Sequence, residues 1–324
     1  METEQERSIA LTRTWLVCLV ATLCCLLWGS AFPGIKIGYR LFAIATEDTA
    51  SQLLFAGCRF ALAGCMTIVI GSVVRQKPLV PARTSLPHVF ILSAIQTVVQ
   101  YLFFYLGLAR TSGVKSSVIG ASNTFFSIFL ASLVFRQERL TMRKIAGCLL
   151  GFSGVVLINL TGDGIDLHFA PTGEGFILLS TLAYALSSVL IKRFSANDDP
   201  VTLSGYQFLL GGTALAGLGA VFGGRLRPAA DGAYPLLVYL AFVSAVAYTL
   251  WSILLKYNPV SKVTVFGFMN PMFGVLLSIV FLGEDWTAFG VRGLFALLSV
   301  CVGIYVVNRT SDVRKDGVSL IHRS

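Results

Sequence analysis

Arg59 lies in an apolar stretch, LLFAGCRFALAGCMTIVIG (53–71), and is the charged residue placed deepest in any such stretch of the chain. A charge in hydrocarbon costs about 2.5–3.5 kcal/mol on insertion scales, so Arg59 should face a wet cavity or a partner. One hypothesis is a cation that binds a substrate carboxylate or gates access to it. The alternative is structural: the side chain extends to the membrane surface or pairs with an acid such as Glu284 or Asp285.

Two stretches combine polar side chains with aromatic rings at helical spacing. Each trio follows the spacing i, i+4, i+7, which predicts a single helix face. The residues are Gln96, Gln100 and Phe103 in one stretch, and Ser244, Tyr248 and Trp251 in the other. Amides that bind a polar end and rings that cover an apolar part would suit a zwitterionic or aromatic solute. Packing is the competing interpretation, and both hold equally for Trp28 and Tyr184.

Asparagine and proline form a second group of candidates. Asn123 and Asn270 each fall near the start of an apolar stretch, and Pro271 follows the second of them. An amide in lipid must bond to something, and a proline frees backbone carbonyls, so both effects suit a cavity lining. Bonding between helices or a helix start would explain them equally. Pro33 with Gly34 predicts a bend or break in the first stretch, either as a hinge or as a static kink.

Glu138 and Glu284 stand at the ends of apolar stretches, close in sequence to Arg136, Arg139 and Asp285. They predict either proton coupling and gating salt bridges, or interface anchors that fix where a helix stops. No Asp or Glu falls at the middle of any apolar stretch, which weakens the case for a buried proton relay. Facilitated diffusion, exchange and weakly coupled antiport all stay open.

The elements that must position these residues are membrane spans. The 324 residues are 55% hydrophobic and 13% charged, with a mean hydropathy of +0.78, which excludes an ordinary water-soluble domain. About 20 apolar residues cross the hydrocarbon core. Windows of this length predict ten spans, near 15–38, 52–74, 87–108, 115–135, 143–160, 173–194, 201–223, 234–256, 263–283 and 289–307. The fold class is therefore an all-α polytopic membrane protein.

The chain contains an internal repeat. Residues 105–141 align without a gap on 251–287 at an offset of 146, which places Glu138 on Glu284. In the second span the offset is 148, so Arg59 falls on Gln207. Because five spans per copy is an odd number, the second copy must be inverted, and the substrate site of such carriers lies between the halves. The predicted segments are a tail (1–14), a first repeat (15–160), a linker (161–172), a second repeat (173–307) and a tail (308–324).

Charge predicts the orientation. With the amino terminus inside, 17 Lys and Arg fall on cytoplasmic segments and 7 on external ones, so both termini are predicted cytoplasmic. The net charge of +9 suits an anionic inner leaflet and requires no nucleic acid partner. Glycine faces such as GCLLG (147–151) predict close helix packing and leave the oligomeric state open.

No motif predicts catalysis, a metal or a cofactor. The seven cysteines lie in apolar stretches without CxxC spacing, and the three histidines are far apart. Neither HExxH nor GxxxxGK[ST] occurs, so the sequence predicts no metal site, no ATP-driven motor and no catalytic residues.

These features together resemble a known family. The two copies of five spans, LWGSAFPGIKIG (27–38), the Arg-Phe pair at 59–60 and ERLT (138–141) resemble the EamA-type branch of the drug/metabolite transporter superfamily over about 15–307. In that family a proline commonly stands thirteen residues before the glutamate of helices 4 and 9. Pro271 keeps this pattern before Glu284, whereas Phe125 replaces the proline before Glu138.

The resemblance implies a ten-helix carrier of the inner, cytoplasmic membrane that works by alternating access. Its solute would be a small metabolite, with export of amino acids or related solutes as the leading hypothesis. A nucleotide-sugar or vitamin-like solute is the alternative, for which more cavity cations than Arg59 would be expected. From another class, an intramembrane enzyme would need a pair of acids or a histidine cluster, and a sensor would need an output domain.

Overall fold

The computed structural model describes residues 10–111, 113–159, 169–282 and 290–309. Within these residues the chain is almost wholly helical, without strands, and forms ten long helices. The first five are α1 (Thr14–Leu41), α2 (Thr49–Arg75), α3 (Arg83–Leu108), α4 (Lys115–Val134) and α5 (Met142–Asn159). The second five are α6 (Glu174–Phe194), α7 (Pro200–Val221), α8 (Ala233–Tyr257), α9 (Val260–Leu282) and α10 (Gly290–Arg309). The prediction of an all-α polytopic membrane protein is confirmed.

Helix α7 differs from the others in composition. In the described part of the chain, nine helices are long and apolar enough to cross a membrane, and α7 is not among them. It is 22 residues long, which suffices for a crossing, but its sequence contains five glycines and several polar residues. Four of the glycines approach other helices closely, so protein surrounds much of α7; they are Gly205, Gly211, Gly212 and Gly219.

An aspartate caps the N-terminus of both α2 and α7. The carboxylate of Asp48 accepts a hydrogen bond of 2.9 Å from the amide of Ser51, and that of Asp199 accepts one of 2.9 Å from the amide of Thr202. Each bond satisfies an amide that has no partner inside its helix. Pro200 occupies the first turn of α7, where its missing N–H costs nothing.

Helices α2 and α7 are repeat mates and pack antiparallel along matched glycines. A Cβ at Gly64 would lie 2.3 Å from the backbone nitrogen of Leu209, and one at Gly212 would lie 2.3 Å from that of Ala61. Both contacts correspond under the 148-residue offset between the repeats. Two inverted repeats are related by a local two-fold axis, so mated helices that meet at this axis are antiparallel. Only glycine permits the two backbones to approach so closely.

Helices α5 and α10 form the second antiparallel pair of mates. Gly147 and Gly151 of α5 both lie against Gly303 of α10, and Gly154 lies against Ala296 and Val300. The GCLLG face is therefore used for packing inside one chain. The remaining contacts follow the same symmetry: α1 packs on α8 and α9, as α6 packs on α3 and α4.

Three helices contain interruptions of regular α-helical geometry. Helix α3 contains a π-helical segment at Ser93–Val99, α4 has a turn at Ser122 and a π-helical segment at Leu130–Val134, and α9 has a 3-10 segment at Val265–Phe268. Such segments are frequent at functional sites. Helix α1, in contrast, continues through Pro33, so the predicted break at this proline is wrong, although a bend is compatible with the continuous helix.

Candidate functional site

Two mated phenylalanines mark the centre of the bundle. The rings of Phe60 in α2 and Phe208 in α7 stack with centroids 5.4 Å apart and planes inclined by 14°. Both are fully buried, and they correspond at the 148-residue offset. The local two-fold axis therefore passes between these rings.

Aromatic residues of three further helices surround the phenylalanines. Tyr248 lies 4.8 Å from Phe208 between centroids, and Tyr101 lies 4.4 Å from Phe60. The hydroxyls of Tyr101 and Tyr248 are hydrogen-bonded at 2.7 Å. Trp28 packs edge-on against Tyr248 at 4.9 Å and against Trp251 at 5.0 Å. We call these six residues the central aromatic cluster: Trp28, Phe60, Tyr101, Phe208, Tyr248 and Trp251.

Arg59 is packed against this cluster. It is 5% exposed, and its guanidinium carbon lies 4.3 Å from the ring centroid of Phe60 and 6.0 Å from that of Tyr101. Ring faces attract cations, so the side chain stays inside the bundle and does not extend to the membrane surface. Its Nε atom is buried without a hydrogen-bond partner.

A carboxylate partner for Arg59 is absent from the described part of the chain. The ion pairs found there involve other cations: Arg75 with Asp199, His88 with Asp198, Lys115 with Glu174, and Lys144 with Glu138. Glu284 and Asp285, the acids that the sequence offered as partners, lie outside the described residues. Ring faces and tyrosine hydroxyls are therefore the surroundings that the described protein provides for this charge.

The repeat mate of Arg59 has a different environment. Gln207 is fully buried, and its Nε2 atom donates a hydrogen bond of 2.7 Å to Oε1 of Gln96. Gln96 lies in the π-helical segment of α3, which turns its side chain toward α7, while Phe103 packs on Phe176 of α6. Two of the candidates, Gln96 and Gln207, thus bond to each other.

Several buried polar atoms around the cluster have no hydrogen-bond partner among the described residues. The donors are Nε1 of Trp28, Nε1 of Trp251 and Nε of Arg59, and the acceptors are Oε1 of Gln100 and Oε1 of Gln207. Unpaired buried groups cost about 1–3 kcal/mol each, so their concentration in one place calls for a role. These unpaired atoms include both hydrogen-bond donors and hydrogen-bond acceptors.

The sequence predicted part of this cluster and missed part. Trp28, Tyr248 and Trp251 were candidates, and Tyr184 packs at the edge of the same group of residues. Tyr101, Phe60 and Phe208 were not selected as ligands. For the two phenylalanines a signal existed, because they are identical residues at mated positions beside Arg59 and Gln207. No such pattern marks Tyr101, because the π-helical segment before it changes the helix face on which the residue lies. Simple helical spacing does not account for that change.

The interruptions of α4 and α9 meet each other. The hydroxyl of Thr124 donates bonds to the Asn123 side chain at 3.2 Å and to the backbone oxygen of Thr264 at 3.0 Å. Asn270 has a buried Oδ1 without a partner, and Pro271 stands in the first turn of the α-helical segment Met269–Leu282. Asn123 therefore belongs to a junction between the repeats, formed by Thr124 and Thr264, and Asn270 lies further along α9.

Glu138 lies in a separate contact, at the end of the bundle where α1 begins, here called the N-end. Its side chain is 7% exposed, and Oε1 lies 3.4 Å from Nζ of Lys144. It also accepts hydrogen bonds from Ser261, from the hydroxyl at 2.9 Å and from the backbone amide at 3.3 Å. Helix α4 has ended before this residue, so Glu138 joins the first repeat to the start of α9.

The remaining candidates are not brought together with the cluster. Pro33 is buried within α1, Pro271 lies in the first turn of the segment Met269–Leu282 of α9, and Glu284 lies outside the described residues. Among the residues that the structure describes, no group of three or more His, Cys, Asp or Glu could hold a metal ion.

The chain is similar to transporters along most of its length. The profile of the EamA-like transporter family matches residues 15–160 and 171–309. An uncharacterized transporter of Archaeoglobus fulgidus is 28% identical over 301 residues, which cover 90% of this chain and 98% of that protein. The WAT1-related protein At3g02690, chloroplastic, of Arabidopsis thaliana is 25% identical over 290 residues, which cover 87% of this chain and 66% of that protein.

One solved structure has the same fold. It superposes with a TM-score of 0.74 over 92% of this chain and 98% of its own, at 19% sequence identity. The ten-helix bundle, the two segments matched by the profile and the transporters among its relatives agree. The protein is a multi-pass membrane transporter and belongs to the EamA-like transporter family.

Proposed function

We propose that the protein exports amino acids or related small carboxylated solutes, and that the central aromatic cluster with Arg59 binds them. The observation that carries the proposal is the buried guanidinium of Arg59, which has ring faces but no carboxylate beside it in the described part of the chain. A substrate carboxylate would complete this site with charge-assisted hydrogen bonds, which are the stronger kind.

The other unpaired atoms fit the rest of an amino acid. The Oε1 atom of Gln100 can accept a hydrogen bond from an ammonium group, while the indole N–H groups of Trp28 and Trp251 can donate to a second carboxylate oxygen. Rings on several sides would cover an apolar side chain. The site thus offers a cation, a neutral acceptor and apolar walls to a zwitterion.

The proposed mechanism is alternating access between the two inverted repeats. The hydrogen bonds from Ser261 of α9 to Glu138 hold the repeats together at the N-end, and opening this end requires that the repeats separate there. We place the N-end in the cytoplasm of a cell whose inner membrane holds the protein, on the basis of the positive-inside rule. The outward direction is supported by the resemblance to exporters of the same superfamily. Glu284 is proposed as the corresponding gating residue of the second repeat.

The test is flux in proteoliposomes. Purified protein is reconstituted, loaded with a panel of labelled amino acids and other metabolites, and assayed with and without a pH gradient. We expect release of at least one carboxylated amino compound above protein-free vesicles, with a dependence on pH if protons are coupled. Failure of every solute to move under any gradient would sink the proposal.

The same panel tests the alternative solute. A nucleotide-sugar carries a diphosphate, for which several cations are expected, whereas the cluster with its adjoining residues contains Arg59 alone among the described cations. Movement of a nucleotide-sugar without any amino acid would replace the proposed substrate and leave the transport role intact.

A further inference from the structure

An open groove of about 710 Å³ lies at the N-end, apart from the central aromatic cluster, where α4 stops. Its walls are one short segment of chain: Ser132, Leu133, Arg136, Gln137, Glu138, Arg139 and Leu140. Leu133 is 59% exposed and the adjacent Val134 is 65% exposed on the outside of the bundle. The groove therefore opens where an apolar, lipid-facing surface gives way to polar residues, at headgroup depth.

Two arginines give the groove its charge. Arg136 and Arg139 are both exposed, and within the described part of the chain neither forms an ion pair or a side-chain hydrogen bond. Glu138 between them does not neutralise them, because its carboxylate is directed to Lys144 and Ser261. The groove thus presents two unpaired cations to an anion.

The backbone at Arg136 shapes this segment. Arg136 has φ of 52°, the left-handed region that a residue with a side chain rarely adopts. The conformation is held by a bond of 2.7 Å from the amide of Gln137 to the carbonyl of Ala131. It ends α4 and reverses the chain, so that both arginines line one groove.

Neutral polar groups in the groove also lack partners. Ser132 is 9% exposed, and its buried hydroxyl has no hydrogen-bond partner. Gln137 donates through Nε2 to the carbonyl of Val189 at 3.1 Å, whereas its Oε1 is buried without a partner. The hydroxyl can donate to a phosphate oxygen, and the amide oxygen can accept from a hydroxyl.

We propose that this groove binds the headgroup of an anionic phospholipid of the phosphatidylglycerol type. The phosphate would lie between Arg136 and Arg139 with a bond from Ser132, the glycerol hydroxyls would bond to Gln137, and the acyl chains would follow Leu133. Clustered cations next to a membrane helix attract anionic lipids, and arginine suits phosphate geometry. The occupant would contact Glu138 and so the connection between the two repeats.

Native mass spectrometry of the full chain in detergent measures the binding, with phosphatidylglycerol titrated as the probe. We expect the Arg136→Gln/Arg139→Gln double variant to bind the lipid about tenfold more weakly or worse. The matched control is Arg225→Gln/Arg227→Gln, which removes two exposed arginines at the opposite end and should leave binding unchanged. Ser132→Ala is expected to lose about two- to tenfold, the effect of one hydrogen bond.

Three results would overturn the proposal. The first is an equal loss of binding in the two double arginine variants. The second is an affinity for phosphatidylcholine equal to that for phosphatidylglycerol. The third is an equal affinity for soluble glycerol phosphate, and this result would make the groove a free-phosphate site. If the first double variant does not fold, the single variants Arg136→Gln and Arg139→Gln, together with Ser132→Ala, provide the comparison, with Arg225→Gln and Arg227→Gln as their controls. Because the readout is lipid binding, it stands or falls separately from the proposed solute.

Discussion

Helices α2 and α7 occupy equivalent places in the two repeats, yet they match in packing residues and differ in charge. Gly64 and Gly212 make the same close contact, and Phe60 and Phe208 stack on each other across the axis. Arg59 and Gln207, one position before those rings, do not match. Gln207 is hydrogen-bonded to Gln96, whereas Arg59 lies against ring faces and has no carboxylate partner among the described residues.

The residues that match between α2 and α7 serve helix packing, and the residues that differ include Arg59, the cation of the proposed binding site. Two-fold packing needs small residues on both helices, since either backbone must approach the other. A solute with two unlike ends needs a site with two unlike sides. The duplicated fold therefore keeps its glycines in both copies and places its buried cation in one copy only.

The matched glycines of α2 and α7 predict the largest effect, which is on the stability of the protein. Gly64→Leu and Gly212→Leu should each destabilise the protein by about 3 kcal/mol or more, because the added Cβ meets backbone and not a movable side chain. Thermal unfolding in detergent should show losses of similar size. Gly217→Leu, in the same helix but with nothing within 4 Å of its Cβ position, is the control. A large loss at one mate only would break the symmetry of the scaffold.

The difference between Arg59 and Gln207 predicts the effect on transport. Arg59→Gln should raise KM for a carboxylated solute by about tenfold to one hundredfold, since hydrogen bonds to charged groups contribute about 1.5–3 kcal/mol. Arg59→Lys keeps the charge and should retain more affinity than Arg59→Gln. The measurement is flux against solute concentration with protein that elutes as a single folded species. Unchanged KM for carboxylated solutes in Arg59→Gln would remove this residue as their ligand.

Gln207 should affect stability more than affinity. Gln207→Leu leaves Gln96 buried without its donor, at a cost of about 1–3 kcal/mol, whereas the Gln96→Leu/Gln207→Leu double variant should recover much of it. A double-mutant cycle on thermal unfolding measures this coupling. In variants that fold, KM for the solute should stay within about twofold of its value in the unmodified protein, because differences of this size fall within the usual departures from additivity. A rise in KM as large as that of Arg59→Gln would make the two mates equal ligands.

The smallest predicted effect concerns an indole N–H. Trp28→Phe keeps a ring against Tyr248 and Trp251 but removes the buried Nε1 donor. A neutral hydrogen bond contributes about 0.5–1.5 kcal/mol, so KM should rise about two- to tenfold. Thermal stability should hardly change, because the donor has no hydrogen-bond partner among the described residues. Lower stability with an unchanged KM would assign Trp28 to packing.

Helices α4 and α9 show how far a repeat pattern predicts local structure. Phe125 stands where Pro271 stands in the mate, so an interruption of α4 did not follow from the sequence. The structure interrupts both helices at corresponding positions, Ser122 in α4 and the 3-10 segment ending at Phe268 in α9. In α4 the serine hydroxyl donates to the carbonyl of Ile119 at 2.6 Å. Side-chain bonding to the backbone thus accompanies an interruption that needs no proline.

By itself the sequence determined the membrane class, the ten helices, the duplication and the candidate cation. These follow from hydropathy, span length and repeat offsets, which are local or periodic properties. Only the tertiary structure decided that Arg59 faces rings, that Gln207 is bonded to Gln96, and that Glu138 connects the first repeat to α9. Which side chains meet depends on how the helices pack and on how π-helical segments redirect side chains, as for Gln96 and Gln207. The residue pattern of a single sequence does not contain this information.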